Sequence, residues 1–409
     1  MKEFMNPTQT YTTYRDIFCK QRLPLAFIDL DNFDANVAYI AKLARAAGKT
    51  IRLGSKSIRC VELMRRIFDA DPQTYRGILT FTVEETAWLA AQGFDDMIVA
   101  YPSVQPSDIA LMVDMTRAGK QVWLMVDNVE HLRILSAAGL DSGLTLHACL
   151  EVDMAYRPLN LSTVHLGLRR SPVRTPEQAR DLIRAAKAFP GVKIDAIMGY
   201  EGHVAGMGDN VPGAEIKNAV MRALKADSVK ELTARRDKIV ELLRGEGTDF
   251  KVINGGGSGS LVSTGKDPLV TEITVGSGFY ASGLFHHYKE VHFEPSAFFA
   301  IQIVRIPADG MITCLGGGYI ASGEVGLAKQ PVPMYPAGLR YLPLEGAGEV
   351  QTPFILPPDC PKLALGDPIF LQHAKAGELC ERFNNLWLVK DGKLAGQVKT
   401  YRGEGMAFL

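Results

Sequence analysis

The sequence predicts a closed (β/α)8 (TIM) barrel followed by a smaller C-terminal β domain, and three observations carry that reading. Short apolar runs alternate with segments of helical periodicity through the first 275 residues. Polar and ionisable residues recur at the C-terminal tips of those apolar runs, where a barrel gathers its functional groups. After residue 276 the helical period disappears, and short runs alternate with Gly and Pro turns.

Eight strands are predicted in order: Leu25–Asp31, Thr50–Lys56, Gly77–Phe81, Asp96–Pro102, Gln121–Asp127, Thr145–Asp153, Lys193–Gly202 and Phe250–Gly255. Near-continuous apolar strands of this kind belong to a parallel sheet covered by helices. Helices are predicted over Asn32–Ala47, Thr82–Gln92, Thr175–Phe189 and Ala219–Arg244. Thr82 with Glu85, and Thr175-Pro176-Glu177, supply start signals. The tips carry Asp31, Lys56, Thr82, Tyr101, Asp127, Asp153, Tyr200 with His203, and Asn254. The barrel is assigned to residues 22–275 and the β domain to 276–409, with residues 1–21 packing on the latter. Within the β domain, Lys390-Asp391-Gly392-Lys393 reads as a hairpin turn, and Leu327–Cys360 as a long irregular excursion.

Apolar residues make up 47% and charged residues 22% of the 409, a globular balance. Basic and acidic residues number 45 each and are interspersed, which argues against a nucleic-acid groove or a membrane-surface patch. No run is long and apolar enough for a transmembrane helix, and Met1–Lys20 lacks the apolar centre of a signal peptide. Six scattered cysteines without a CxxC pair suit a reducing compartment, so a cytoplasmic protein is expected.

Lys56 ends the second predicted strand. A lysine partly desolvated in a barrel mouth has a lowered pKa and serves as an amine nucleophile; the plainer alternative is a surface lysine. Asn254-Gly255-Gly256-Gly257-Ser258-Gly259 follows the last predicted strand, where glycines let backbone N–H groups approach an anion. A phosphate group is the favoured ligand there, against a merely flexible turn. Gly199-Tyr200-Glu201-Gly202-His203 places hydrogen-bonding and acid–base groups at one rim. In the β domain, His373, Glu378 and Cys380 are ligand types suited to zinc or another transition metal, but their spacing also fits a solvated turn.

Taken in order, Ile28-Asp-Leu-Asp31 with Asn36, Arg52-Leu-Gly-Ser-Lys56-Ser, Glu151-Val-Asp153, Arg170-Ser-Pro, Gly199-Tyr-Glu-Gly-His203, Asn254-Gly-Gly-Gly-Ser-Gly259 and Thr271-Glu-Ile-Thr-Val-Gly276-Ser277 resemble the fold-type III pyridoxal 5'-phosphate (PLP) enzymes. The closest likeness is to their D-threonine aldolase and D-serine dehydratase branch, with an alanine-racemase-like barrel. The resemblance implies that Lys56 holds the cofactor covalently. It implies that Asn254, Gly256, Gly257, Ser258 and Gly259 form the phosphate end, assisted by Gly276 and Ser277. It places Arg170 near the phenolic oxygen and Tyr200 beside the ring. It also implies a homodimer in which the β domain completes the partner's site.

One departure concerns the metal. The branch shows His-x-Asp or His-x-Cys in the β domain, and the corresponding stretch here is His373-Ala-Lys375. A protonated lysine cannot bind a divalent metal and repels one. Either Glu378 or Cys380 replaces the ligand, or the Lys375 ammonium replaces the metal. The expected activity is that of a lyase on a small-molecule substrate, a β-hydroxy D-amino acid, giving glycine and an aldehyde with Lys56, Tyr200 and His203 as catalytic residues. A dehydratase, an amino-acid racemase using Tyr280, Tyr288 or Tyr319, and a non-catalytic PLP-binding protein are the alternatives.

Overall fold

The computed structural model describes residues 7–158, 164–323, 326–375 and 377–409. Its N-terminal part is an eight-stranded closed parallel barrel wrapped by helices, and a mixed β-sheet follows. The strand membership differs from expectation by one position. The first strand, β1 (Leu25–Asp29), pairs with two later strands and lies outside the barrel. The barrel runs through β2 (Thr50–Gly54), β3 (Tyr75–Thr80), β4 (Met97–Val99), β5 (Val122–Val126), β6 (Leu146–Glu151), β7 (Val192–Gly199), β8 (Val252–Gly255) and β9 (Glu272–Val275). It closes by pairing β2 with β9, Leu53 opposite Val275.

The physical reason for the exchange lies in burial. Residues 25–28 are apolar throughout because both faces are covered, as in a barrel strand. Here Ala26 and Ile28 join the main core, while Leu25 and Phe27 enter a separate aromatic cluster. That cluster is made with Tyr14 and Phe18 of the N-terminal helix Pro7–Phe18 and with Phe298 and Phe370. Conversely, Glu-Ile-Thr-Val at β9 alternates polar and apolar and so lacks the signature of a buried parallel strand. Its Glu272 is nevertheless buried, and its polar partners lie on other barrel strands.

The C-terminal sheet has the path β13-β14-β11-β10-β1-β16-β17, using β10 (Ala297–Ala308), β11 (Met311–Leu315), β12 (Val332–Tyr335), β13 (Arg340–Tyr341), β14 (Gln351–Ile355), β15 (Pro368–Gln372), β16 (Asn385–Lys390) and β17 (Lys393–Lys399). The off-path strand β15 pairs with β10 and β12. Three of these strands, β12 to β14, fall inside the stretch expected to be irregular; β12 and β14 each contain a Pro and β13 is two residues long, which hides them from a periodicity reading. The β16–β17 hairpin turns at Asp391 and Gly392, both with positive φ (49° and 68°), as the Asp-Gly pair predicts. Asp31, expected at the barrel mouth, instead pairs with Lys390 at this hairpin.

One charge sits at the centre of the barrel. Arg52 on β2 is fully buried, and its guanidinium meets the Glu272 carboxylate of β9 in a two-pronged contact, one prong at 2.9 Å. It also donates to the Asp96 carboxylate (2.7 Å) and carbonyl (2.6 Å) at the entry to β4. The Trp123 ring packs 6.0 Å away. Burial opposes the charge, but Glu272 and Asp96 more than offset it and hold the pKa above its usual value. Replacing Arg52 by Met leaves the buried Glu272 carboxylate with Asn254 but without its counter-charge, and removing one member of a buried pair costs about 3–5 kcal/mol. Urea unfolding of Arg52→Met should show that loss; a change under about 1 kcal/mol would mean the pair is dispensable.

Candidate active site

A cavity of ≈ 400 Å³ opens at the C-terminal ends of the barrel strands, and Lys56 lines it. Lys56 occupies a 3-10 turn, Ser55–Ser57, directly after β2. Of the polar tip residues, Lys56, Tyr101, Tyr200 and Asn254 line the cavity, whereas Thr82, Asp127, Asp153 and His203 do not.

One end of the cavity is a glycine cradle. Gly256, Gly257 and Ser258 follow β8, and Gly276 and Ser277 follow β9. These are the loops after the last two barrel strands, the usual phosphate position in this architecture. A Cβ on Gly256 would lie 2.9 Å from Thr264 and Ile273, and one on Gly276 would meet the Gly54 carbonyl at 2.8 Å. The Ser258 hydroxyl accepts from the Gly278 N–H (2.9 Å), and the Ser57 and Ser277 hydroxyls lie 3.2 Å apart, so the two loops and the lysine turn are stitched together. Gly259 packs against Ala205 and Tyr288 and stays outside the cavity lining.

Buried charges hold this cradle from behind. The Glu201 carboxylate accepts from the Gly256 N–H (2.6 Å) and pairs with Arg236, which also pairs with Asp267. Asn254 donates to Glu272 (2.8 Å) and Thr274 (2.9 Å), tying the loop entry to the carboxylate that binds Arg52. Beside the cradle, where the Tyr200 ring would lie 3.1 Å from a Cβ on Gly257, Arg170 lies over Tyr101 (5.2 Å) and Tyr200 (5.8 Å). Burial raises the Tyr200 pKa, so its phenol stays protonated near neutrality.

The β domain supplies the remaining wall with Ala328, Lys329, Ala374 and Lys375. No carboxylate lines the cavity among the described residues, which leaves Lys56, Arg170, Lys329 and Lys375 as its ionisable charges. This wall comes from the chain's own β domain. Its attachment is direct. A Cβ on Gly377, whose φ is 95°, would sit 2.2 Å from the Lys56 carbonyl. That carbonyl accepts from the Arg59 Nε (3.0 Å), and Arg59 pairs with Glu381. The Ile58 carbonyl accepts from the Tyr280 hydroxyl (2.8 Å) and the Cys380 thiol (3.3 Å). Tyr401 donates its N–H to the Arg59 carbonyl (2.8 Å) and its hydroxyl to Glu85 (2.9 Å), a carboxyl that burial pushes up to about 7.

Two expected roles do not meet this geometry. His203 is buried with its Nε2 against the Ser228 hydroxyl, turned to the long helix Glu215–Gly245, and burial lowers its pKa to about 4. Cys380 is fully buried, its thiol donates to the Ile58 carbonyl, and burial pushes that thiol up to about 12. His373 lines a separate small void with Glu378 and Tyr319, and the Glu378 carboxylate accepts from the Ser322 N–H (2.8 Å). No group of three ligand-type side chains comes together among the described residues. The metal expected from His373 and Cys380 therefore lacks its donors. Sequence reasoning missed Lys329, which lies in the Gly- and Pro-rich excursion without any periodic signal, and the Gly377 contact, visible only in three dimensions.

Fold and cavity together define an alanine-racemase-type barrel carrying an added β domain. The alanine racemase, N-terminal domain family matches residues 28–282, and the chain belongs to that family, whose members are PLP-dependent. It is 25% identical to a D-threonine aldolase of Arthrobacter sp. over 306 residues, 74% of this chain and 73% of the relative. Among solved structures, D-threonine aldolase from Filomicrobium marinum superposes with a TM-score of 0.77 at 19% identity, covering 94% of this chain and 97% of that one. D-threo-3-hydroxyaspartate dehydratase from Delftia sp. HT23 superposes with a TM-score of 0.74 at 18% identity, covering 94% and 98%. At these identities the structures establish a shared fold.

Gly377→Ala should push the Lys56 turn out of place through both the clash and the positive φ, a strain of about 1–3 kcal/mol. Titration of the variant with PLP, followed by absorbance, should show roughly 10- to 100-fold weaker binding. Unchanged affinity would show that the contact does not set the position of Lys56.

Proposed function

We propose that this chain is a PLP-dependent lyase that cleaves β-hydroxy D-amino acids to glycine and an aldehyde. The observation that carries the reading is Lys56 on a barrel-strand end, facing one cavity between a glycine cradle and a cationic β-domain wall. The cradle suits the cofactor's phosphate, since glycine backbone at 256, 257 and 276 lines it beside Ser258 and Ser277. Lys56 would hold the cofactor's aldehyde carbon, and Asn254, Gly256, Gly257, Ser258, Gly276 and Ser277 its phosphate end. Bound there, the cofactor supplies an electron sink for the bond that breaks at Cα.

The protein's own groups do the rest. Tyr200 and Arg170 wall the barrel side of the cavity and orient the substrate against it. Lys56, once the substrate occupies the cavity, would be a free amine able to take the β-hydroxyl proton and return it to Cα. Ala374 and Lys375 line the β-domain side of the cavity and would keep bulk water from the reacting carbon. As that proton leaves the β-oxygen for the Lys56 amine, Cβ–O would become a carbonyl, the Cα–Cβ bond would break, and the bonding pair would stay at Cα until Lys56 returns the proton.

The dehydratase outcome is the second reading, favoured by the likeness to the Delftia enzyme; it differs only in which bond at Cα is aligned. A racemase gains little support. The Tyr280 and Tyr288 hydroxyls donate to the Ile58 and Ala205 carbonyls, and Tyr319 lies outside the cavity lining. We place the enzyme in the cytoplasm as a homodimer. Its six cysteines are all free, and no helix among the described residues is long and apolar enough to cross a membrane.

Proton NMR of the PLP-loaded protein with D-threonine and with D-threo-3-hydroxyaspartate tests the reading. Glycine with the matching aldehyde is the expected product. A 2-oxo acid would move the protein to the dehydratase class, and an epimerised amino acid would refute lyase activity.

A further inference from the structure

Lys375 stands where the expected second metal ligand would be, and its surroundings give it a different use. Lys375 lines both the cavity and the small void behind it, whereas His373, two residues earlier, lines the void alone. The clamp of Gly377 on the Lys56 carbonyl fixes the segment beside the cofactor lysine. The Lys375 amine makes no hydrogen bond or ion pair with the described residues, and Glu378, its carboxylate neighbour, is engaged by Ser322. Burial lowers its pKa, Glu378 raises it, and Lys329 and Lys56 lower it again, which places it electrostatically among the cavity lysines.

A cofactor held between Lys56 and the glycine cradle would leave the β-domain wall, with Lys375, to face the substrate's side chain. We infer that Lys375 is a catalytic residue that donates a hydrogen bond to the oxygen on the substrate's Cβ and stabilises its developing negative charge, so that this enzyme needs no divalent metal. An ammonium there does electrostatically what a Lewis acid would do, at a site whose thiol and imidazole are turned elsewhere. The inference rests on the lyase reading and adds the group that acts on the β-oxygen. It also makes two steps separable. Chemistry at Cα alone depends on Lys56, whereas chemistry at Cβ needs Lys375 as well.

The test uses holoenzyme treated with a chelator, desalted, and compared with Lys375→Met. Three quantities are read: metal content by mass spectrometry, cleavage of the β-hydroxy amino acid the wild type accepts, and Cα hydrogen–deuterium exchange of D-alanine in D2O. D-Alanine has no β-oxygen, so a role confined to that atom leaves its exchange untouched. The wild type should retain no stoichiometric metal after incubation with Mn2+ or Zn2+, and cleavage should be the same with and without the ion. Lys375→Met should lose about 10²- to 10³-fold in kcat for cleavage, with KM within a few fold and D-alanine exchange unchanged. One bound metal per chain that is required for cleavage would overturn the inference, as would a variant that cleaves at the wild-type rate. A parallel loss of exchange and cleavage would reduce Lys375 to a structural role. Should the wild type cleave no β-hydroxy amino acid while still exchanging D-alanine, the lyase reading itself fails and takes the inference with it.

Discussion

A buried guanidinium cannot be left alone, and much of this molecule is arranged around that fact. Arg52 sits inside the barrel four residues before Lys56, and its charge is shared by Glu272 across the seam that closes the barrel and by Asp96 at the entry to β4. Because Glu272 also binds Asn254, the same charge fixes the strand that delivers the glycine cradle. A second buried set, Glu201, Arg236 and Asp267, holds that cradle through the Gly256 N–H. Ion pairs of this kind are a weak source of net stability against an apolar core of the same shape. Their contribution is geometric: they leave one register in which every charge is satisfied, and that register aims Lys56 at the glycine loops.

The β domain works on the same turn from the other side. Gly377, Cys380, Tyr280, Tyr401 and Arg59 all engage the backbone of residues 56–59 or its immediate partners. A barrel alone would leave the lysine turn free to fray, as strand-end loops do. The added sheet therefore both covers the cavity and sets the lysine, which gives a physical reason for the β domain beyond enclosing the substrate.

Much of this was legible in the sequence, with a consistent pattern to the gaps. Continuous apolar strands, capped helices and glycine-rich tips announced the barrel, and Asn254 to Ser258 announced the glycine cradle at its mouth, because each depends on local chemistry. Leu25–Asp29 was misassigned because burial on both faces looks alike whether the neighbours are barrel helices or an aromatic cluster around Phe27 and Phe370. β9 escaped because Glu272 and Thr274 are polar in the service of Arg52 and Asn254, partners more than 15 residues away. His203 read as a rim base, yet strand-end position does not fix which way a side chain turns, and Ser228 takes it. The closeness of Gly377 to Lys56 spans over 300 residues of sequence and leaves no local trace.

The central claim is that one lysine, aimed by the buried charges and clamped by the β domain, carries the cofactor. Borohydride reduction of the PLP-loaded protein, followed by proteolysis and mass spectrometry of the modified peptide, tests it most directly. A single pyridoxyl group on Lys56, absent from Lys56→Ala, is the predicted result. Modification at Lys329 or Lys375, or no stable adduct at all, would contradict the account.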